Sequence, residues 1–254
     1  MSQMSSLELV EKTAATIGEL GARYMLHPET AAIGTSAGYE NGWAWYFAGR
    51  GGVLGDVDAD VVTSAFGFFG ADMIRLMWET GLKTETARAA GSRYAKACAE
   101  FGRKRLQGAA GLDRFNELSE RVTNALDPSG VTLFAGLRAE PAPADAAGRA
   151  YWNICLLREW RGSEHVVAVR ASGLTPAQAV LTNYPDLAVG VKEANRRGFG
   201  EGHPDASPLL EKRRRAEALT SELQAAGYDV LTAEERAEFA GLVETIKAAL
   251  DANK

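Results

Sequence analysis

The chain predicts an all-α, mainly helical protein: a helical N-terminal domain followed by a winged-helix-like C-terminal domain with a reduced wing. Three observations carry this. Apolar residues recur at three- and four-residue steps over long stretches, as one-faced helices require. No segment shows the sustained apolar–polar alternation of a strand. Gly and Pro stand between the periodic stretches, where they stop and start helices.

The elements follow in order. Leu7, Val10, Ala14, Ile17, Leu20 and Tyr24 mark a first helix, stopped at His27-Pro28 because a residue before proline avoids the helical region. Tyr39 to Arg50 is a second, aromatic helix, and Gly51, Gly52 and Gly55 form the turn after it. Asp58 can cap a third helix holding Val61, Val62, Ala65, Phe66 and Phe69; Gly70 breaks it and Asp72 to Thr80 is a fourth. Thr84 to Gln107 and Leu112 to Leu126 are longer helices. The segment 139–148 is rich in Pro and Ala and reads as a linker between a domain at 1–138 and one at 149–254. A helix from Arg149 to Trp160 is interrupted at Arg161-Gly162, and Ser163 caps the next one, which Gly173 closes. Thr175-Pro176 opens a short helix to Leu181. Tyr184 to Ser207, rich in Gly, Pro and Asp, reads as a long loop. Ser207-Pro208 starts a helix to Ala226 with Leu209, Ala216, Leu219, Leu223 and Ala226 on its inner face. Tyr228 to Leu231 is a short extended piece, and Thr232 with Glu235 makes a capping box for the last helix.

At 254 residues the chain can bury a core without staples. An apolar share of 46% and a charged share of 24% exclude a disordered chain, a collagen and a disulfide scaffold. The net charge of −5 means that any nucleic-acid contact must come from a local basic patch. Cys98 and Cys155 lie far apart in sequence without metal-ligand spacing, which fits reduced thiols and a cytoplasmic location. The N-terminus lacks the basic and apolar regions of a signal peptide, and no apolar run reaches the length of a membrane span.

The stretch LLREWRGSEHVVAVRASGL, Leu156 to Leu174, resembles the LLREHRGDGHVAAL-type signature of an actinobacterial helix-turn-helix family of the SalK type. WYFAGRGGVLGDVDADVV (Trp45 to Val62) and DPSGVTLFAGLRAEPAP (Asp127 to Pro143) are similar to the same family, in the same order. The resemblance implies a helix-turn-helix scaffold and leaves the function open. Trp160 stands where the pattern has His, and Tyr184 to Ser207 replaces its GW-containing entry to the recognition-position helix.

Several residues can carry chemistry. Arg158 and Arg161, three apart, can share a helix face and clamp an anion. A capping Ser163 would put His165 in a first turn, where the helix dipole disfavours imidazolium. A neutral His165 can act as a general base, with Glu159 orienting it or accepting Arg161. The same residues also fit a purely structural corner. Trp43, Tyr46, Phe47 and Arg50 form one helical stripe, and with Trp152 they suggest either core or an aromatic-walled pocket for a planar small molecule. Lys212, Arg213, Arg214 and Arg215 lie on the recognition-position helix, where they can meet DNA phosphates or form a solvated face between Glu211 and Glu217.

No GxSxG elbow, Walker A loop or HExxH motif is present, no metal site is expected, and no cofactor can be named. His203, beside Glu201 and Asp205, is expected to be a solvated loop residue rather than a ligand. The leading expectation is a small-molecule-binding protein on a helix-turn-helix scaffold, a ligand-responsive transcriptional regulator, with a homodimer as a candidate assembly. Its pocket is expected between the two domains, near Trp43, Tyr46, Arg158 and His165. The rival is a biosynthetic or tailoring enzyme that kept the scaffold and lost DNA binding.

Overall fold

A computed structural model describes residues 4–253, and among these residues every regular element is helical. The local signals account for most helix starts. α1 (Ser6–Ala22) opens on a capping box of Ser5 and Glu8. α2 (Pro28–Ser36) begins at the very proline that stops the first run. Proline at a first helical position starts a helix as readily as it ends one, and His27 Nδ1 accepts from the Glu29 amide at 3.2 Å. α3 (Gly42–Gly51) starts at Asn41, whose side chain accepts from the Trp43 and Ala44 amides. α4 (Ala59–Phe66) follows Asp58, which occupies the cap position without a side-chain cap bond. α5 (Ala71–Gly81), α6 (Ala87–Leu106), α7 (Leu112–Ala125) and the short α8 (Thr132–Arg138) complete the first part.

α9 (Ala146–Ala171) corrects the reading of two helices broken at Arg161-Gly162. Ser163 caps nothing; its hydroxyl donates to the Glu159 carbonyl at 3.0 Å, one turn back in the same helix. A single helical glycine costs about 1 kcal/mol, and the burial of Tyr151, Trp152, Leu157 and Trp160 along α9 outweighs it. α10 (Pro176–Leu181) opens on the expected Thr175 cap, completed by Gln178. α11 (Leu187–Arg196) occupies much of the stretch that reads as a loop. Asp186 caps it, and Gly198, at φ +79°, ends it with the Phe199 amide bonded back to the Ala194 carbonyl. α12 (Leu210–Ala225) turns Ala216, Thr220 and Gln224 inward, whereas Leu223 stays exposed. The expected extended piece at 228–231 is instead mostly a 3-10 turn, Ala226–Val230, held by Arg236 bonding the Tyr228 and Leu231 carbonyls. α13 (Ala233–Ala252) begins at the Thr232–Glu235 capping box.

α9 is the central element and packs against α1, α6, α7, α8, α10 and α12. One apolar core joins Leu9, Phe47, Phe134, Trp160 and Phe239, residues from both sides of the 139–148 segment. Smaller clusters around α10 to α12 hold Val169, Leu174, Ala179 and Ala216, and Val180, Leu181, Ala194 and Ala206; Phe68 packs against both. At the α6–α9 contact the two cysteine sulfurs, distant in sequence, stand 3.3 Å apart as buried thiols. Burial pushes the Cys155 thiol well above its ordinary pKa.

Gly102 on α6 permits that contact. A Cβ there would sit 2.5 Å from Tyr151 Cβ and 2.9 Å from the Ala147 carbonyl oxygen. Replacing a helical glycine by alanine ordinarily adds roughly 0.5–1 kcal/mol of stability. Here Gly102→Ala is expected to remove about 1–3 kcal/mol, because backbone must move to admit one methyl group. Urea unfolding of the two proteins measures the sign, and a stabilised variant would refute the tight contact.

Candidate functional site

A cavity of about 720 Å³ opens between the N-terminal helices and α9, α11 and α12. α3 contributes Trp43, Tyr46 and Arg50, and α9 contributes Arg158, Arg161, Gly162 and His165. These spacings, of three, four and seven, put each set on one helix face. Gly162 leaves open space where a side chain would stand, so the glycine read as a break is a gap in the cavity wall. The turn after α4 adds Phe68 and Phe69. Gly70 holds that turn against the end of α11: its amide donates to the Arg197 carbonyl at 2.8 Å, and a Cβ would meet the Gly198 carbonyl oxygen at 2.0 Å. This close approach sets Arg197 beside Phe69, its guanidinium 5.6 Å from the ring centre.

Behind the cavity wall, Arg50 is anchored by the buried Glu159. Nε and Nη2 of Arg50 donate to the two Glu159 oxygens at 2.9 and 2.7 Å, and Nη1 donates to the Tyr46 hydroxyl at 3.0 Å. Arg158 adds a bond to Glu159 at 3.1 Å. Burial pushes the Glu159 carboxyl up, but the attraction and hydrogen bonds of Arg50, helped by Arg158, outweigh it and hold the group below its ordinary pKa. Glu159 therefore does not orient His165. The two are six residues apart on α9 and face different partners.

His165 has its own network, built on α12. Thr220 donates its hydroxyl proton to the Ala216 carbonyl at 2.6 Å, so it accepts from His165 Nδ1 at 2.8 Å. His165 Nε2 then accepts from Arg213 at 3.0 Å. Arg213 also pairs with Glu217 and donates to Asn183 at 2.6 Å. Arg161 reaches Gln224 at 2.7 Å and Glu217 at 3.2 Å. The imidazole is held below its ordinary pKa by its surroundings rather than by a helix N-terminus. His165 lies mid-helix, where burial, with Arg213 and Arg161 against the pull of Glu217, lowers its pKa to about 4.

The other expected site residues separate. Trp152 is buried in the core away from the cavity. Of the basic run, Arg213 turns inward, while Lys212, Arg214 and Arg215 are exposed. Lys212 reaches the Gly173 carbonyl at 3.3 Å, and Arg214 pairs with Glu211. His203 stands beside Asn195 at 3.0 Å. Sequence reasoning missed Arg196, Arg197, Glu217 and Tyr228 as cavity residues. The first ends, and the second caps, the helix that fills much of the stretch read as a loop. Only the Arg213–Glu217 pair left a signal, its four-residue spacing on a helix.

This all-helical frame is matched over residues 10–201 by a family model described as a helix-turn-helix family, and the chain belongs to that family. The match runs from α1 through α11 and ends before α12. No curated protein and no solved structure matches the chain. Among the described residues, no helix is long and apolar enough to cross a membrane.

Glu159→Gln leaves Arg50 buried against a neutral partner and is expected to cost about 3–5 kcal/mol. The double variant Arg50→Met with Glu159→Leu should recover most of that loss, and a denaturant double-mutant cycle measures both. His165 binds a proton more weakly folded than unfolded, so its contribution is complete above pH 6.5 and falls as the pH drops toward 4. The depressed carboxylates Glu29, Glu235 and Asp251 titrate lower, toward about 2. Thermal melts from pH 7 to 5 should show a loss in the wild type, part of a full shift worth about 3 kcal/mol, that His165→Gln lacks.

Proposed function

We propose that the protein binds a planar small molecule in this cavity and acts as a ligand-responsive transcriptional regulator of the SalK-type actinobacterial group, working in the cytoplasm as a homodimer. The cavity is the observation that carries the reading. Trp43, Tyr46 and Arg50 enter it from the part of the chain before 139–148, and Arg158, Arg161 and His165 from the part after. The proposed domains, 1–138 and 149–254, would thus close on the ligand from two sides. α12 supplies the coupling. One side of it carries Arg213, Glu217 and Gln224 on the cavity; the other carries exposed Lys212, Arg214 and Arg215. A ligand that draws Arg213 or Glu217 biases the position of the helix that would meet DNA phosphates.

A second reading, a tailoring enzyme on the same scaffold, is favoured by the inward turn of Arg213, which removes one cation from the basic run. There His165 becomes a base only once the substrate has drawn Arg213 off Nε2. Unchanged turnover in His165→Ala would remove that role.

Fluorescence anisotropy with a duplex from the gene's own upstream region separates the readings. The regulator is expected to bind with an affinity that falls steeply with salt, and a triple Lys212→Gln, Arg214→Gln, Arg215→Gln variant should flatten the log–log salt slope by about 2–3. Absence of salt-dependent binding to that duplex would eliminate the regulator reading and leave the enzyme.

A further inference from the structure

Around the cavity, three carboxylates each meet two arginines. Glu159 takes Arg50 and Arg158, at 2.7 and 3.1 Å. Glu217 takes Arg161 at 3.2 Å and also Arg213. Glu193 takes Arg196 and Arg197, at 2.6 and 3.7 Å. Each carboxylate compensates one guanidinium and leaves one over. All six arginines line the cavity, Glu217 is the one acidic residue among its described lining residues, and His165 is neutral. The wall therefore holds a surplus of three positive charges, in a chain whose net charge is −5.

Such a surplus is unfavourable without a counter-charge, since each half-buried guanidinium gives up hydration. Burial depresses the pKa of Arg161 and of Arg213 in spite of Glu217. The buried Nε of Arg197 has no hydrogen-bond acceptor among the described residues. The remaining wall is aliphatic at Val10, Ile17 and Leu26 and aromatic at Trp43, Phe66 and Phe69, and three of the cations sit on those rings. Arg50 lies 4.5 Å from the Phe66 ring centre, Arg196 5.6 Å from Trp43 and Arg197 5.6 Å from Phe69. Rings and guanidinium planes side by side match a ligand that is itself flat and charged.

We propose that the cavity takes a planar aromatic anion whose carboxylate, sulfonate or phosphate oxygens are paired by the surplus guanidiniums of the three arginine–glutamate triads. The proposal rests on the reading of this cavity as a ligand site and adds the charge of what fills it.

A matched pair of dyes tests it on the whole protein. 1-Anilinonaphthalene-8-sulfonate and N-phenyl-1-naphthylamine share their ring system, and only the first carries an anion. The sulfonate is expected to bind at one per chain, at least about tenfold tighter than the neutral dye at low salt, with that advantage shrinking as salt rises. Arg158→Gln, Arg161→Gln and Arg197→Gln each remove the spare cation of one triad and leave an intact pair. Each should weaken the sulfonate several-fold and the neutral dye much less, with circular dichroism and the melting temperature reporting that the variant is folded. 1-Naphthoate and 1-naphthyl phosphate, added as competitors, tell a carboxylate from a phosphate ligand by which displaces the probe at lower concentration. Equal affinity for the two dyes would overturn the charge assignment while leaving the cavity a ligand site. Three silent arginine variants, or failure of both competitors, would overturn it likewise. No binding of either dye would overturn the cavity reading and the proposal together.

Discussion

The bidentate contact of Arg50 with Glu159 is the constraint around which the molecule is arranged. Glu159 sits on the central helix, 3% exposed, and a carboxylate so placed must be met by a cation in fixed geometry. Arg50 can meet it only if α3, packed on α5 and α6, holds one register relative to α9. That register fixes the rest of the α3 face: Tyr46 accepts from the same guanidinium, and Trp43 stands one turn further along, on the cavity. The partner of a buried charge thus decides where the aromatic wall stands.

Small residues let this arrangement close. Gly102 brings α6 onto α9, Gly70 brings the Phe68-Phe69 turn onto the end of α11, and Gly162 leaves the α9 face open between Arg161 and His165. α9 can be buried on nearly all sides because its neighbours approach this closely. The cavity lies on the flank where arginines face inward beside apolar groups.

The cavity and the outer face of α12 share one helix, and a helix moves as a body. Thr220 and Gln224 occupy positions where a purely structural helix would place apolar residues; they serve the His165 and Arg161 networks instead. In the proposed regulator, a change in those networks would shift α12 as a body. The proposed function uses that shift to join a ligand on one side to the charged surface on the other.

Local chemistry was legible in the residues alone. The all-helical class, the Thr175 and Thr232 caps, the aromatic stripe of α3 and the shared helix face of Arg158, Arg161 and His165 depend on spacing of a few residues, and such short-range signals survive in a one-dimensional string. Burial and long-range pairing decided the rest. The unbroken α9 needed its packing partners to outweigh Gly162. α11 was hidden by the glycines that follow it, although Asp186 marks its start. Whether Arg213 faces a phosphate or an imidazole, and whether Glu159 serves His165 or Arg50, depends on residues up to 109 positions apart. No local pattern encodes the direction of a long charged side chain, because that direction is set by the countercharge that folding brings to it.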